Sequence, residues 1–336
     1  MSLNVAVLGT GAIAREHVAA LARIPGVRVT HVAGSDLTRA AAVAAHAPGA
    51  VASADPAAIL ADPAVDAVDI CEATPEHARW TIAAGHAGKH VHVEKPAALT
   101  VEDFDAMVAA TEGAGRSLMV GQTVRFHPAV RTLQSAVASG DIGAARLLHV
   151  SWYAGYVWPR GWRGWQHDPA QSGGHPVHNG THALDLAVWL TARRPTRVFA
   201  RAFPSFAADM PVPDSFHVTV RFDDDSLALL EISYALRRHG DVLRRIMVAG
   251  TTGTLFHSTE NDPGLVADAA RPAPSSVEDA MFHQLRHWAD TVRADALPIV
   301  TNEQVRAALA AAIAAQRSLE LGQPVEVPDA TREVTA

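Results

Sequence analysis

Residues 5–14 read VAVLGTGAIA, an apolar run that leads into a glycine turn and then into a helical pattern. Between a strand and a helix, Gly9 permits a tight turn and Gly11 lets a pyrophosphate approach the backbone. Ala14 lets the helix pack closely on the strand, and the helix N-terminus offers amide groups to the phosphates. We therefore interpret the stretch as a dinucleotide-binding turn; a purely structural glycine turn of another α/β fold is the alternative. The predicted cofactor contacts here are Gly9, Thr10, Gly11, Ala12 and Ile13.

Strand-like and helical patterns alternate over the first 120 residues, which is typical of βαβ units. Right-handed crossovers would arrange them as a Rossmann-type, doubly wound parallel sheet. After Gly121 the pattern changes to helices and four or five β-type runs separated by turn residues. The predicted fold class is α/β, with a C-terminal α+β domain built on a mostly antiparallel open sheet. We place a dinucleotide-binding domain at 1–121 and a substrate-binding and dimerisation domain at 122–336, whose C-terminal helix could pack back on the first domain.

Composition narrows the range of partners. The formal charge of −7 argues against nucleic acid and anionic membranes, both of which favour basic surfaces. The cluster Arg237–His239 with Arg244 and Arg245 is interpreted as a solvated strand edge and turn. The single cysteine, Cys71, lies in an apolar run, so we expect a buried, unreactive thiol. The sequence also contains no run of about 18 apolar residues, the length that a membrane-spanning helix needs. We therefore expect the protein to be cytoplasmic.

Glu94-Lys95-Pro96 follows the β-type run His90–Val93. It thus places a lysine at the carboxyl end of a strand, where open α/β sheets bind their ligands. An ammonium group on the same sheet edge as a phosphate-binding turn suggests nicotinamide chemistry.

The end of the second strand selects the cofactor. An acidic residue there holds the ribose of NAD, whereas basic or hydroxyl groups accommodate the 2′-phosphate of NADP. Gly34 falls at the acidic position, and Ser35 and Arg39 follow it, which favours NADP. If the register is shifted by two residues, Asp36 becomes the ribose ligand and NAD is favoured.

A histidine-rich run lies at residues 173–185, and a helix is predicted from His178 to Leu190. In one continuous helix His178, His182 and Asp185 share a face. This arrangement offers a general base, a polar neighbour and an orienting carboxylate. A helix with hydrogen-bonded structural histidines is one alternative. A metal site that includes His175 is another, although Pro176 and Gly180 disfavour it and no metal is predicted.

Four tryptophans fall in or beside one loop that also contains arginines. Such amphipathic rings can form a platform for a sugar, although lid packing or a subunit contact is an equal alternative. The residues concerned are Trp152, Trp158, Trp162, Trp165, Arg160 and Arg163.

Six motifs in this order resemble the Gfo/Idh/MocA family of oxidoreductases, and the match covers nearly the whole chain. Besides the glycine turn and the Lys95 motif, they include Thr74-Pro75-x-x-His77 and Arg125-Phe126-His127-Pro128. Ser139-Gly140-x-Ile142-Gly143 and the Gly-Gly run leading to His182-x-x-Asp185 complete the set. The segment Asp36–Ala40 resembles the NADP-dependent sugar and dihydrodiol dehydrogenase branches.

The resemblance implies hydride transfer between a nicotinamide and a carbinol of a sugar, cyclitol or related alcohol. It implies that Lys95 is the active-site lysine and His182 the catalytic histidine. Many members carry an aspartate where this chain has His178, which leaves the substrate and the proton relay open. Further cofactor contacts are expected at Ser35, Arg39, Thr74, Pro75, His77, Glu94 and Lys95, and substrate contacts at Lys95, Arg125, Trp162, Arg163, His178 and His182.

The sequence thus predicts an NADP- or NAD-dependent dehydrogenase or reductase that acts on CH–OH groups of a polyol or sugar. A non-catalytic dinucleotide- or sugar-binding regulator is the alternative, disfavoured because both Lys95 and His182 are present. The open sheet of the second domain predicts a homodimer or homotetramer, because helices can cover only one of its faces.

Overall fold

The computed structural model describes residues 2–155, 164–203, 210, 212–236, 242–259, 265–267 and 280–328. The chain forms two compact units. The first contains Met1–Phe126 and Asp279–Arg306, and the second contains His127–Glu278 and Ala307–Ala336. The domain boundary after residue 121 stays a prediction.

The first unit is built on a six-stranded, all-parallel sheet. Its strand order, β3-β2-β1-β4-β5-β6, is that of a doubly wound dinucleotide-binding sheet, so this part of the predicted fold is confirmed. The strands are β1 (Leu3–Leu8), β2 (Val27–Ala33), β3 (Val51–Ser53), β4 (Ala67–Ile70), β5 (His90–Val93) and β6 (Leu118–Val120).

Helices connect these strands, and their first residues explain where they begin. The Asp36, Asp55 and Thr100 side chains accept hydrogen bonds from amides in the first turns of three of them. Pro75 lies in the first turn of a fourth, where its missing N–H costs nothing. The helices are α1 (Ala12–Leu21), α2 (Leu37–Ala44), α3 (Pro56–Ala61), α4 (Thr74–His86) and α5 (Val101–Gly113).

The central strands of this sheet are buried on both faces. All four residues of β4 are buried, and so are Val5, Ala6, Val7 and Leu8 of β1. Such continuous apolar runs are typical of parallel sheets covered by helices on both sides. Two polar side chains interrupt these runs, Asp69 in β4 and His92 in β5, and both are fully buried.

The second unit is built on an eight-stranded sheet of order β13-β12-β11-β7-β10-β9-β8-β14. Its pairings are antiparallel except for β10 with β7, so the mostly antiparallel sheet is confirmed. The strands are β7 (Ala145–Gly155), β8 (Pro195–Ala202), β9 (Ser215–Phe222), β10 (Leu227–Leu236), β11 (Val242–Gly250), β12 (Thr254–Ser258), β13 (Leu265–Ala267) and β14 (Val325–Glu326). The short β13 and β14 were not predicted, because two or three residues carry too little pattern.

The remaining helices are α6 (Pro128–Ala138), α7 (Pro169–Ser172), α8 (His175–His178), α9 (Thr181–Thr191), α10 (Ala280–Val292) and α11 (Asn302–Leu321). Helix α10 belongs to the first unit, whereas α11 contributes residues to both. No helix in the described ranges is both long and apolar enough to cross a membrane.

The continuous helix predicted from His178 to Leu190 is wrong. The carbonyl of His175 accepts hydrogen bonds from the amides of both Asn179 and Gly180, which closes α8 before α9 begins. A Cβ on Gly180 would lie 2.5 Å from the carbonyl oxygen of Pro176, so this junction requires a glycine. His178 and His182 therefore lie on two different helices.

The sheet of the second unit has one buried face and one exposed face. Phe216, Val218, Val220 and Phe222 of β9 are all buried. On the opposite face a row of directly paired residues crosses six neighbouring strands. Phe199, Leu229 and Phe256 in this row are 37%, 40% and 41% exposed. The row consists of Phe199, Thr219, Leu229, His149, Met247 and Phe256.

We propose that a second copy of the chain covers this row, since large contiguous apolar patches usually mark interaction sites and two-fold pairing is the commonest closure. We expect an oligomer by light scattering at micromolar concentration and a shift toward monomer in Leu229→Glu. The control is Leu297→Glu, because Leu297 is 89% exposed and lies outside the sheet. A monomeric wild-type protein would contradict the proposal.

Candidate functional site

The two glycines of the turn after β1 differ: the backbone requires a glycine at residue 9, whereas Gly11 borders open space. Gly9 has a φ of +128°, and a Cβ there would lie 2.6 Å from the carbonyl group of Cys71. Gly11 caps α1, and no heavy atom lies within 4 Å of the Cβ position it leaves empty. The ten-residue helix α1 has no side-chain cap, so its first amides point at this empty space. The turn therefore fits a dinucleotide pyrophosphate.

The end of β2 presents a cation rather than a free carboxylate. A Cβ on Gly34 would lie 2.4 Å from Thr10 Cγ2, so any side chain at this position would have to displace that of Thr10. Asp36 Oδ1 accepts from the amides of Thr38 and Arg39 and so caps α2. The Arg39 guanidinium donates to the Thr10 carbonyl at 3.2 Å, which places it beside the glycine turn.

Lys95 lies two residues beyond the end of β5, at the carboxyl end of the sheet, as predicted. Burial lowers the pKa of its ammonium group, and the Glu94 carboxylate partly opposes this effect. Glu94 Oε2 accepts from the Lys95 amide at 3.0 Å, so this carboxylate also fixes the backbone of the motif. A lysine with a lowered pKa can hold or release a proton nearer to neutral pH.

A cluster of buried polar side chains lies behind Glu94. Its central member is Asp69, whose two carboxylate oxygens each contact a histidine Nδ1 at 2.8 Å, His17 on one side and His92 on the other. The other nitrogen of His17, Nε2, lies 3.2 Å from Glu94 Oε1, off the ideal hydrogen-bond direction. On the far side, the Gln284 amide of α10 lies 3.0 Å from His92 Nε2.

The partners of His17 require it to be charged. Burial by itself lowers the pKa of His17, but the Asp69 carboxylate and the neighbouring Cys71 together outweigh burial and raise this pKa well above the ordinary value. In return, burial of Asp69 is outweighed by His17 and His92, so the pKa of Asp69 is held well below its usual range. The pKa of Glu94 is lowered as well, with His17 overcoming the effect of burial. An imidazolium at His17 thus lies between two buried carboxylates.

Among the described residues, three members of this cluster have potential metal-ligand atoms that lie near one another. One donor atom each of His17, Asp69 and His92 falls within 4.8 Å of the others. The 2.8 Å contacts of Asp69 are shorter than the ~3.3 Å that separates tetrahedral ligands bound at about 2.0 Å to zinc. These side chains therefore hydrogen-bond one another directly.

His77, predicted as a cofactor contact, joins two loops at the sheet edge. Its Nδ1 lies 2.9 Å from the carbonyl oxygen of Pro96, and its Nε2 lies 3.0 Å from that of Glu72. Burial lowers the pKa of this ring. A neutral imidazole carries a single N–H, so His77 donates to one of these two carbonyls and lies between the turn after β4 and the Lys95 motif. Thr74 at the start of α4 is also buried, and its hydroxyl has no hydrogen-bond partner.

In the second unit, His182 is the half-buried member of the histidine run. Its ring stacks on Trp152 at 5.2 Å with planes 8° apart, and Asp185 follows one turn later on α9. His178 instead packs edge-on against Trp165 at 5.2 Å. His175 stacks on the Tyr234 ring at 4.1 Å, and its Nδ1 lies 2.7 Å from the Pro213 carbonyl oxygen.

The structure corrects two interpretations of the sequence, and several other predicted residues lie outside the described ranges. Arg244 is 5% exposed, so its assignment to a solvated strand edge is wrong, whereas Arg245 on the opposite side of β11 is exposed. Arg125 is fully buried and donates to the Ile299 carbonyl and the Gln304 side chain, which indicates a structural role. The predicted loop residues Trp158, Arg160, Trp162 and Arg163 lie outside the described residues, as do Arg237, Arg238 and His239.

Sequence reasoning missed His17, Asp69, His92 and Gln284. A signal was present, because Asp69 stands in an otherwise apolar strand and His92 lies between two valines, in strands that must be buried on both faces. They are also direct partners in the parallel register of β4 and β5. A polar pair at such positions indicates a buried network.

Comparison with known proteins agrees with the architecture. Residues 3–122 match the model of an oxidoreductase family with an NAD-binding Rossmann fold. Residues 130–256 match the GFO/IDH/MocA C-terminal domain. Since both domain models match, the chain belongs to the Gfo/Idh/MocA family of oxidoreductases.

Three relatives illustrate the likeness. The scyllo-inositol 2-dehydrogenase (NAD(+)) of Bacillus subtilis is 28% identical, over 96% of this chain and 95% of the relative. The 1,5-anhydro-D-fructose reductase of Ensifer adhaerens is 27% identical, over 95% of this chain and 97% of the relative. A crystal structure of a probable dehydrogenase from Thermotoga maritima is 27% identical, with a TM-score of 0.81 over 97% of this chain and 99% of that one.

Alanine substitutions at the two glycines of the turn should have different effects on stability and on dinucleotide binding. Gly9→Ala should lower the free energy of unfolding by about 1–3 kcal/mol, because the new Cβ meets the Cys71 carbonyl and φ is positive. Gly11→Ala should cost less than about 1 kcal/mol but weaken dinucleotide binding, since its Cβ enters the open space. Denaturant titration and cofactor titration separate the two effects. Normal affinity in folded Gly11→Ala would show that no phosphate binds there.

His17→Gln should destabilise the first unit by about 3–5 kcal/mol, because it leaves two buried carboxylates without their cation. In the wild-type protein the raised pKa of His17 stabilises the fold fully below about pH 6.5, and this stabilisation is lost as pH rises through the folded-state value. The double variant His17→Gln/Asp69→Asn removes both charges and should recover part of the loss.

Urea denaturation at pH 6 and pH 9.5 measures both effects. The wild type should lose more stability between these values than the double variant does. The matched control is His90→Gln, a half-buried histidine at the start of β5 whose pKa is lowered chiefly by burial. An equal pH dependence in the wild type and the double variant would mean that His17 is not charged.

Proposed function

We propose that the protein is a nicotinamide-dependent dehydrogenase or reductase that acts on a carbinol carbon of a sugar, cyclitol or related polyol. The observation that carries the proposal is a buried lysine with a lowered pKa at the carboxyl end of a dinucleotide-binding sheet. The named relatives, an inositol dehydrogenase and an anhydrofructose reductase, support this substrate class.

The residues of the glycine turn, the end of β2 and the Lys95 motif would hold the dinucleotide, with Thr74 and Pro75 at the start of α4 as further contacts. When bound, the dinucleotide supplies a nicotinamide that exchanges hydride with the substrate. The open position at Gly11 and the uncapped amides of α1 are the features that fit it.

We assign the proton chemistry to two side chains. In the oxidative direction His182 accepts the proton of the substrate hydroxyl, and Lys95 donates a hydrogen bond to the same oxygen as negative charge develops on it. Asp185 orients His182 from the next turn of α9. The contact of His178 with Trp165 favours a packing role for that ring over a place in the relay.

The chemical roles predict specific kinetic losses. His182→Ala should lower kcat by roughly 10²–10⁴, the usual contribution of a positioned general base. Lys95→Ala should lower kcat by roughly 10²–10³, because a donor to the developing charge is lost. Dinucleotide affinity measured by titration serves as the internal control and should change little. Full activity of either variant on the best substrate from a sugar and cyclitol panel would refute its role.

The same panel tests the reaction class. Wild-type protein should reduce or oxidise at least one polyol with NADP or NAD. Binding of dinucleotide without turnover of any member would favour the regulatory alternative.

For the cofactor we propose a preference for NADP(H). Three features support it: Gly34 carries no acidic side chain, Asp36 caps α2, and Arg39 reaches the glycine turn. An arginine at this place can bind the 2′-phosphate through charge-assisted hydrogen bonds. The NAD(+) in the name of the inositol dehydrogenase represents the alternative.

Arg39→Ala should weaken NADP binding by about 1.5–3 kcal/mol and leave NAD binding nearly unchanged, since only NADP carries the extra phosphate. The control is Arg28→Ala, an exposed arginine near the start of β2, away from the end of that strand that leads to Arg39. Fluorescence titration with both cofactors measures the difference. Tighter binding of NAD than of NADP by the wild type would make Asp36 the ribose ligand.

A further inference from the structure

Arg244 is a buried cation without a buried anion. Its side chain lies on the helix-covered face of β11, and the residue is only 5% exposed. Its Nε has no hydrogen-bond partner, and no ion pair joins it to a described carboxylate. Burial lowers the pKa of the guanidinium to about 10, which still leaves it charged at neutral pH.

The ring of Trp152, its direct partner in the β7–β11 register, lies under the guanidinium at 5.4 Å. Such a cation–π contact recovers only part of the cost of taking a charge out of water. Buried charges in proteins are ordinarily paired, so an arginine in this state points to an anionic ligand.

The neighbours of Arg244 belong to the chemistry proposed above. Trp152 also stacks on His182, the proposed proton acceptor, so one ring contacts both functional groups. Trp152, His182 and the nearby His127 are all half-buried, which leaves solvent access beside a guanidinium that is otherwise enclosed.

The other titratable neighbours are neutral or cationic rather than acidic. Burial, the Arg244 charge and His257 together lower the pKa of His127 to about 3. His127 is therefore a neutral ring that can donate one N–H. His257 lies on β12 opposite Ile246 and is buried.

We propose that Arg244 binds an anionic substituent, a carboxylate or a phosphate, of the polyol whose hydroxyl His182 deprotonates. The proposal rests on the dehydrogenase function and narrows its substrate class to sugar acids or sugar phosphates. His127 supplies a neutral donor to the same anion, and Trp152 packs between the anion site and the reacting end.

Matched substrates test this directly. D-glucose, D-glucuronate and D-glucose 6-phosphate form one set, and D-galactose with D-galacturonate forms a second. Both are assayed with NADP and with NAD. We expect kcat/KM to be roughly 10- to 150-fold higher for an anionic member than for its neutral counterpart, the range expected of a hydrogen bond to a charged group. The carboxylate and phosphate arms show which anion fits.

Arg244→Gln should abolish this preference. The matched control is Arg245→Gln, which changes the adjacent arginine on the exposed side of the same strand and should keep the preference. Arg244→Lys retains the charge and should keep a reduced preference, so the test survives if the glutamine variant does not fold. Wild-type preference for neutral members, or an unchanged preference in folded Arg244→Gln, would overturn the inference.

Calorimetric titration of the NADP-loaded protein separates this inference from the dehydrogenase proposal. Tighter binding of D-glucuronate or D-glucose 6-phosphate than of D-glucose, lost in Arg244→Gln, supports the anion site even without turnover. Turnover of neutral sugars with no anion preference supports the dehydrogenase and refutes the anion site. Absence of both binding and turnover of the anionic members refutes the anion site as well.

Discussion

The first unit depends on one buried imidazolium. His17 of α1 lies between the Asp69 carboxylate of β4 and the Glu94 carboxylate that follows β5. All three are at least nine-tenths buried, where two carboxylates without a cation would be strongly destabilising. The charge on His17 thus joins the helix of the phosphate-binding turn to the strand end that presents Lys95. A single constraint aligns two parts of the proposed site that are distant in sequence.

Glu94 connects the buried His17 to Lys95, the proposed active-site lysine. Its carboxylate contacts His17 with one oxygen and the Lys95 amide with the other. It also opposes the lowering of the Lys95 pKa by burial, so the charge of the cluster affects how readily the lysine holds its proton. In the second unit Trp152 has a comparable linking position, since it contacts His182 and Arg244. In both units a side chain without a proposed catalytic step of its own contacts a residue that is proposed to act.

Much of this fold follows from local sequence signals. The glycine turn, the alternation of strands and helices and the position of Lys95 depend on short-range pattern, and the structure has them where expected. The break between α8 and α9 was not predictable in this way, because it depends on two amides sharing the His175 carbonyl. The cluster of His17, Asp69 and His92 needs the strand order before its members become neighbours. Likewise, only the pairing of β11 with β7 shows that Arg244 faces inward while Arg245 faces outward.

The dependence of the first unit on a buried cation can be checked through the protonation state of His17. Nitrogen-15 NMR of the histidine side chains, assigned by comparison with His17→Gln, reports whether both ring nitrogens carry protons. We expect His17 to remain an imidazolium at pH 8, because its contacts with Asp69 and Cys71 raise its pKa well above the ordinary value. A neutral His17 ring at pH 8, or one that titrates at the ordinary value of about 6.5, would contradict it.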